Sequence, residues 1–422
     1  MWTTHTLGEI CDEIDGVIQT GPFGSQLHES DYAEDGIPVV MPKNILDGKI
    51  DTSDIAFVKE EDAERLQRHR MSVGDIVYGR RGDIGRRGLI GARENGWLCG
   101  TGCLRLSLGD RVLDPTYLYY FLGQPMVVGW IANQAIGATM QNLNTKILRS
   151  VAIRYPRITI QRRIASILSA YDDLIENNTR RIKILEEMAQ MLYREWFVNF
   201  RFPGHEKVRM VESELGPIPE GWALKQLGDL CSEIRRSVHP SEIDPGTPYI
   251  GLEHMPRKSI ALAEWGRAGE VGSTKLRFCR GDILFGKIRP YFHKVGVAFV
   301  DGVSSSDAIV IVSKDQEHFA AVLCCVFSEE FVLHASQTSQ GTKMPRANWE
   351  VLTKYPLAIP PLSLLERFNG LVQPTVELIR NLALRIRNLR ATRDLLLPKL
   401  ISGEISVEAA DDHVAELVGQ TA

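Results

Sequence analysis

Two stretches of the chain repeat hydrophobic positions at alternating steps of three and four. Positions 161, 164, 168, 171, 175, 178, 182, 185, 189, 192 and 196 carry Gln, Ile, Leu, Tyr, Ile, Asn, Ile, Leu, Ala, Leu and Trp, so nine of the eleven suit a buried seam. Adding 204 to each gives Leu365, Phe368, Val372, Thr375, Ile379, Leu382, Ile386, Leu389, Arg393, Leu396 and Leu400. Side chains at this spacing share one stripe of an α-helix, and a sustained seven-residue period is that of a coiled coil. Two long helices are therefore expected, packed on each other or on helices of a partner. Ile164, Leu168, Ile175, Asn178, Ile182, Leu185 and Leu192 carry the first seam, and Ile379, Leu382, Ile386, Leu389 and Leu396 the second. Asn178 is the kind of seam residue that fixes register. Arg393 is long enough to snorkel or to meet a partner's carboxylate. Pro374 should kink the second helix or mark its start. At ~1.5 Å per residue the first seam is ~54 Å long, which matches up to ~16 base pairs of duplex.

Elsewhere the pattern changes. Residues 1–156 and 222–360 are rich in Gly and Pro, with short β-prone runs such as "DIVYG", "CLRLSL", "DILFG", "VGVAFV" and "AIVIVS". These read as two mixed, strand-rich domains. They are also copies of one another. "TLGEICDEI" at 6–14 returns as "QLGDLCSEI" at 226–234, with Trp2 and Trp222 at the same distance before them. "GIPVV" at 36–40 matches "GTPYI" at 246–250, "VGDIVYGRR" at 73–81 matches "RGDILFGKI" at 280–288, and "GATMQNLN" at 137–144 matches "GTKMPRAN" at 341–348. The offset drifts from 220 to 204 along the copy, as loops of unequal length would cause. The division expected is a first domain at 1–156, a central helical spacer at 157–200, a linker at 201–221, a second domain at 222–360, a distal helical spacer at 361–405, and an acidic, disordered tail at 406–422.

Composition narrows the chemistry. The chain has 422 residues, 24% charged and 44% hydrophobic, with a net charge of −4, which is ordinary for a globular protein. No apolar run approaches the ~20 residues of a membrane span, and the first residues have neither a basic nor an apolar leader region. Seven irregularly spaced cysteines then read as reduced thiols in a cytoplasm. No metal-ligand spacing is present. "GDILFGK" at 281–287 has the outline of a phosphate loop, but Ile288 stands where a hydroxyl must hold magnesium. The matching copy has Arg80 in place of the lysine, so what recurs is a glycine-bounded strand followed by a cation. No methyltransferase motif or nucleotide fingerprint is visible, and nothing argues for catalysis by this chain alone.

The order of domain, helix, domain, helix resembles the DNA-specificity (S) subunit of type I restriction–modification systems. The residues that carry the resemblance are "TLGEI" and "QLGDL", "GPFGSQL" at 21–27, the paired "GDIVYG" and "GDILFG", "GATMQNLN" and "GTKMPRAN", "LYREWFVNF" at 192–200, "GPIPEGW" at 216–222 and "LLLPKLISGEI" at 395–405. The helix entries depart from the family's usual Glu-Gln pair, keeping Gln161 in one copy and Glu366 in the other. The resemblance implies an α+β fold in which two strand-rich target recognition domains are joined by two long helices. Those helices would form an antiparallel coiled coil with pseudo-twofold symmetry. It also implies a non-catalytic subunit that reads a bipartite, asymmetric site on double-stranded DNA. Two methyltransferase (M) subunits would dock on the spacer and restriction/translocase (R) subunits would join them. S-adenosylmethionine, Mg²⁺ and ATP would sit on those partners, with no cofactor in this chain. A methyltransferase-only assembly and a coiled-coil adaptor for proteins are the alternatives.

Base reading needs side chains that form paired hydrogen bonds with base edges, among cations that hold phosphates. The candidates in the first domain are Ser25, Gln26, Lys43, Asn44, Arg80, Arg81, Arg86, Arg87, Gln141 and Asn142. In the second they are His254, Lys287, Arg289, Tyr291, His293, Lys294, Lys343 and Arg346.

Overall fold

A computed structural model describes residues 2–46, 48–80, 82, 84–135 and 142–407. The fold is α+β: two strand-rich regions and two long helices, Ile158–Tyr193 and Leu362–Ser402. The chain divides into two compact units. One runs to Asp173 and resumes at Ala391; the other is Leu174–Arg390. Each unit thus holds one strand-rich region with part of both helices.

The helices follow the seam. Ile164, Leu168, Ile182, Ile379, Leu382, Ile386 and Leu389 are buried, while Ile175, Leu185, Leu192 and Leu396 are half-buried. In the first unit Asp172 pairs with Arg393. In the second, the rings of Tyr193 and Phe197 lie 6.4 and 4.8 Å from that of Phe368. The early part of one helix therefore meets the late part of the other, and the two run antiparallel. Pro374 does not start the second helix, which begins at Leu362 and continues through it. Val372 and Val376, 1% and 4% exposed, bury the turns on either side. That packing outweighs the hydrogen bond Pro removes. Thr375 leaves the seam to Val376 and donates its hydroxyl to the Leu371 carbonyl. Asn178 is 2% exposed, and its Nδ2 has no hydrogen-bond partner among the described residues.

Each strand-rich region is closed by pairing its first strand with its last. Thr3–Thr6 runs antiparallel to Ala152–Tyr155, and Ala223–Gln226 to Pro356–Ile359. The same backbone bond follows in both, Leu7 N–H to Val151 O and Leu227 N–H to Tyr355 O, each 2.9 Å. A glycine comes next because the chain turns against its neighbour: a Cβ on Gly8 would lie 3.0 Å from Arg149 O, and one on Gly228 2.9 Å from Thr353 Cβ.

Within this frame the first region has an antiparallel sheet ordered Val17–Thr20, Cys103–Ser107, Ile76–Gly79, Arg87–Leu89. The second repeats it as Cys231–Glu233, Ala308–Ser313, Ile283–Gly286, Val295–Ala298 and adds Ala261–Leu262 at the edge. A second sheet in each contains one parallel pair, Ile37–Val40 with Leu98–Cys99 and Pro248–Ile250 with Gly302–Ser304. Alternating residues of these short strands and the helix Phe319–Phe327, eight of whose residues are buried, supply the second region's core. No single helix among the described residues is long and apolar enough to cross a membrane. Six of the cysteines are buried, Cys279 is exposed, and none is in a disulfide.

Candidate nucleic-acid interface

The glycine–strand–cation element is built the same way twice. Gly74 and Gly281 take φ of +89° and +94°, where only glycine is unstrained. The next residue, Asp75 or Asp282, accepts the N–H of Ser72 or Cys279 at 2.8 Å and closes the turn. Burial pushes the Asp282 carboxyl above the usual carboxylate range. The buried strands Ile76–Gly79 and Ile283–Gly286 follow. Their terminal glycines donate N–H to Arg86 O and Lys294 O, both at 2.8 Å.

The cation comes next, and its backbone carbonyl is bonded to the motif that closes the domain. Leu143 N–H donates to Arg80 O, and Ala347 N–H to Lys287 O, each at 2.9 Å. The closing motif ends in Asn144 or Asn348, whose Oδ1 caps the N-terminus of the next short helix. Two sequence motifs about sixty residues apart thus meet at one edge in each copy. Lys287 opens no helix; it leads through Arg289, at φ +49°, into the short turn Pro290–Phe292. Without a helix N-terminus behind the glycines, the phosphate-loop geometry is absent here.

In the second domain this junction gathers several predicted residues. Arg289 donates its N–H to Pro345 O at 2.7 Å, and Ile288 forms a β-bridge with Arg346. Lys343 and Arg346 are exposed, with Arg346 3.9 Å from Asp307. The Lys287 and Lys343 ammonium groups have no hydrogen-bond or ion-pair partner among the described residues. The Arg289 Nε is buried without a hydrogen-bond partner among the described residues, and Tyr291 is 55% exposed. His293 is turned inward instead, 5% exposed, with Nε2 donating to Phe327 O at 2.8 Å. Burial holds its imidazole below the usual range. Lys294 donates to Leu252 O, and burial lowers its ammonium as well. His254 accepts the Gly251 N–H on Nδ1 at 3.0 Å, with its ring edge-on to Tyr249.

In the first domain more of the candidates are held by their own fold. Arg80 Nε donates to Leu143 O at 3.1 Å. Arg87 donates to Tyr119 O at 2.8 Å and lies over the Tyr119 ring. Asn44 is 2% exposed; it accepts Met41 N–H and donates to Asp51 O and Asp54 O, which locks its loop. Gln26 accepts Phe23 N–H at 3.1 Å, and Asn142 buries an Oδ1 that has no hydrogen-bond partner among the described residues. Ser25, Lys43 and Arg86 are exposed, with Lys43 2.6 Å from Asp54. Arg81, Gln141 and residues 408–422 of the acidic tail lie outside the described residues.

Two features escaped the sequence reading. Arg236 and Arg277 are exposed and face each other across paired strands, although like charges so placed repel. The run "IRRS" at 234–237 was the available signal. The other is Asp172, which accepts the Tyr120 hydroxyl at 2.5 Å and binds Arg393. Burial and that acid push the phenol far above its ordinary range. Among the described residues no three His, Cys, Asp or Glu side chains converge as a metal site.

The family model for the type I restriction modification DNA specificity domain matches residues 1–187. The MjaIX type I restriction enzyme specificity subunit of Methanocaldococcus jannaschii is 29% identical over 347 residues, 79% of this chain and 78% of that protein. The EcoDI specificity subunit of Escherichia coli is 25% identical over 313 residues, 66% of this chain and 68% of that one. The crystal structure of a type I restriction–modification S subunit from M. genitalium shares the fold at a TM-score of 0.57 and 16% identity, covering 95% of this chain and 96% of the other. The duplicated domains and the antiparallel helices agree with these likenesses: the chain is similar to the DNA specificity subunits of type I restriction–modification systems.

Proposed function

We propose that this non-catalytic specificity subunit reads a bipartite, asymmetric duplex site, one half with each target recognition domain. The observation that carries the reading is the repeated junction, in which Arg80 and Lys287 bring a strand end against the closing motif through the same backbone bond. A fixed backbone edge with variable side chains suits two half-sites of different sequence. In the second domain Lys287, Arg289, Tyr291, Lys343 and Arg346 are the DNA-contacting set. In the first, Ser25, Lys43, Arg86 and the segment beyond Arg80 are the corresponding set. Asn44 and His293 support the edge from inside.

The helices are proposed to dock two methyltransferase subunits. Ile184, Met188 and Met191 are 47%, 54% and 58% exposed at steps of four and three, and Leu371 and Leu378 lie seven apart on the other helix. Such rows suit a helix of a partner better than water does. S-adenosylmethionine belongs to those subunits, and ATP and Mg²⁺ to the restriction subunits that join them.

The test is to reconstitute the chain with its methyltransferase subunits and map methylated adenines on genomic DNA. Methylation confined to one two-part motif is expected. A complex that shows no preference for any duplex would refute the reading.

A further inference from the structure

One short segment of the second domain, residues 259–265, is held from both long helices. From the first helix Glu186 reaches it with a carboxylate only 7% exposed. One of its oxygens accepts Ser259 Oγ–H at 2.6 Å and Ile260 N–H at 2.8 Å. From the second helix the Arg387 guanidinium sits 3.4 Å from the centre of the Trp265 ring, and Arg390 pairs with Glu264 at 3.1 Å. A carboxylate taken out of water is costly unless it is well bonded. Burial raises the Glu186 carboxyl above its ordinary range, against the pull of these donors. A residue needed only for helix solubility would stay in water.

The gripped segment leads directly to the proposed reading edge. Ala261–Leu262 pairs with Val295–Ala298, which pairs with Ile283–Gly286, the strand that delivers Lys287. Displacing residues 259–260 therefore displaces the sheet that carries the cations. We propose that Glu186 is a positioning residue: through its bonds to Ser259 and Ile260 it fixes the second recognition domain on the helices, and so sets which half-site spacing the complex accepts. This rests on the bipartite reading above.

The experiment maps adenine methylation genome-wide in cells carrying the complete complex with wild-type chain, Glu186→Ala, Glu186→Gln or Trp265→Ala. Wild type should methylate one motif at one spacing. Glu186→Ala should keep both half-sites but add sites whose spacing differs by about one base pair, with discrimination between spacings falling about tenfold. Glu186→Gln keeps an acceptor oxygen and should retain the wild-type spacing. A uniform fall in methylation at unchanged spacing in Glu186→Ala would mark a merely structural role and overturn the inference. If that variant does not assemble, Trp265→Ala, which leaves Glu186 in place, carries the same expectation at smaller size, and unchanged spacing there overturns it too. A wild-type motif without two halves would instead remove the bipartite reading itself.

Discussion

In the first recognition domain the cation that ends the buried strand, Arg80, turns its Nε onto the Leu143 carbonyl. In the second, Lys287 makes the same backbone bond, yet its ammonium has no partner among the described residues. The contrast extends along both edges. Arg87 is tied to Tyr119 and Asn44 to its own loop, whereas Lys343, Arg346 and Tyr291 stand exposed. The shared bonds join N–H to C=O and are indifferent to side-chain identity, so they persist through duplication and divergence. The side chains around them are then free to serve stability in one copy and to remain open to a ligand in the other.

The largest effect should come from breaking the helix pair in either unit. Leu168→Asp in the first and Ile379→Asp in the second each place a charge at a position 0% exposed. Each should cost more than about 4 kcal/mol, read as loss of the cooperative thermal transition. Equal damage from both would show that the two units depend on the seam alike. Next, Asn44→Ala strips three bonds from one loop of the first domain and should cost about 1–3 kcal/mol, measured by denaturant unfolding.

The comparison between the two cations is sharpened by a paired substitution. Lys287→Ala should leave the melting temperature near wild type, while the salt dependence of DNA binding by the complex falls by about one unit of slope. Arg80→Ala should instead lower stability by about 1 kcal/mol through the lost bond to Leu143. If Lys287→Ala destabilised the fold and left the salt slope intact, the assignment of the two roles would be reversed.

The smallest effect is a pH dependence that both domains share. His69, 2% exposed, is held down to about 4 by burial and by the charge of Arg68. His293 is lowered by burial too. The unfolded chain takes up these protons first as pH falls below about 6.5. The stability they contribute is therefore complete above that value and is lost as pH drops toward about 4. The urea midpoint should fall between pH 7.5 and 5, and His69→Gln should flatten part of that fall.

The sequence by itself determined the repeating units. A seven-residue period in two registers 204 residues apart and five matched motifs sufficed for two long helices and two related strand-rich domains. Such periodicities follow from the geometry of helix and strand alone. The backbone junction between "GDIVYG" or "GDILFG" and the closing motif was not legible, because bonds between carbonyls and amides leave no residue-type signal. Nor did composition distinguish Lys287 from Lys294, or Tyr291 from His293. Within each pair one side chain is open and the other is held inside the domain. Pro374 likewise read as a kink or a start of the second helix, and buried neighbours on both sides carry the helix through it, so it is not the start. Whether a polar side chain meets water, its own backbone or a partner depends on what the tertiary fold places within hydrogen-bonding distance, and only the structure decided that.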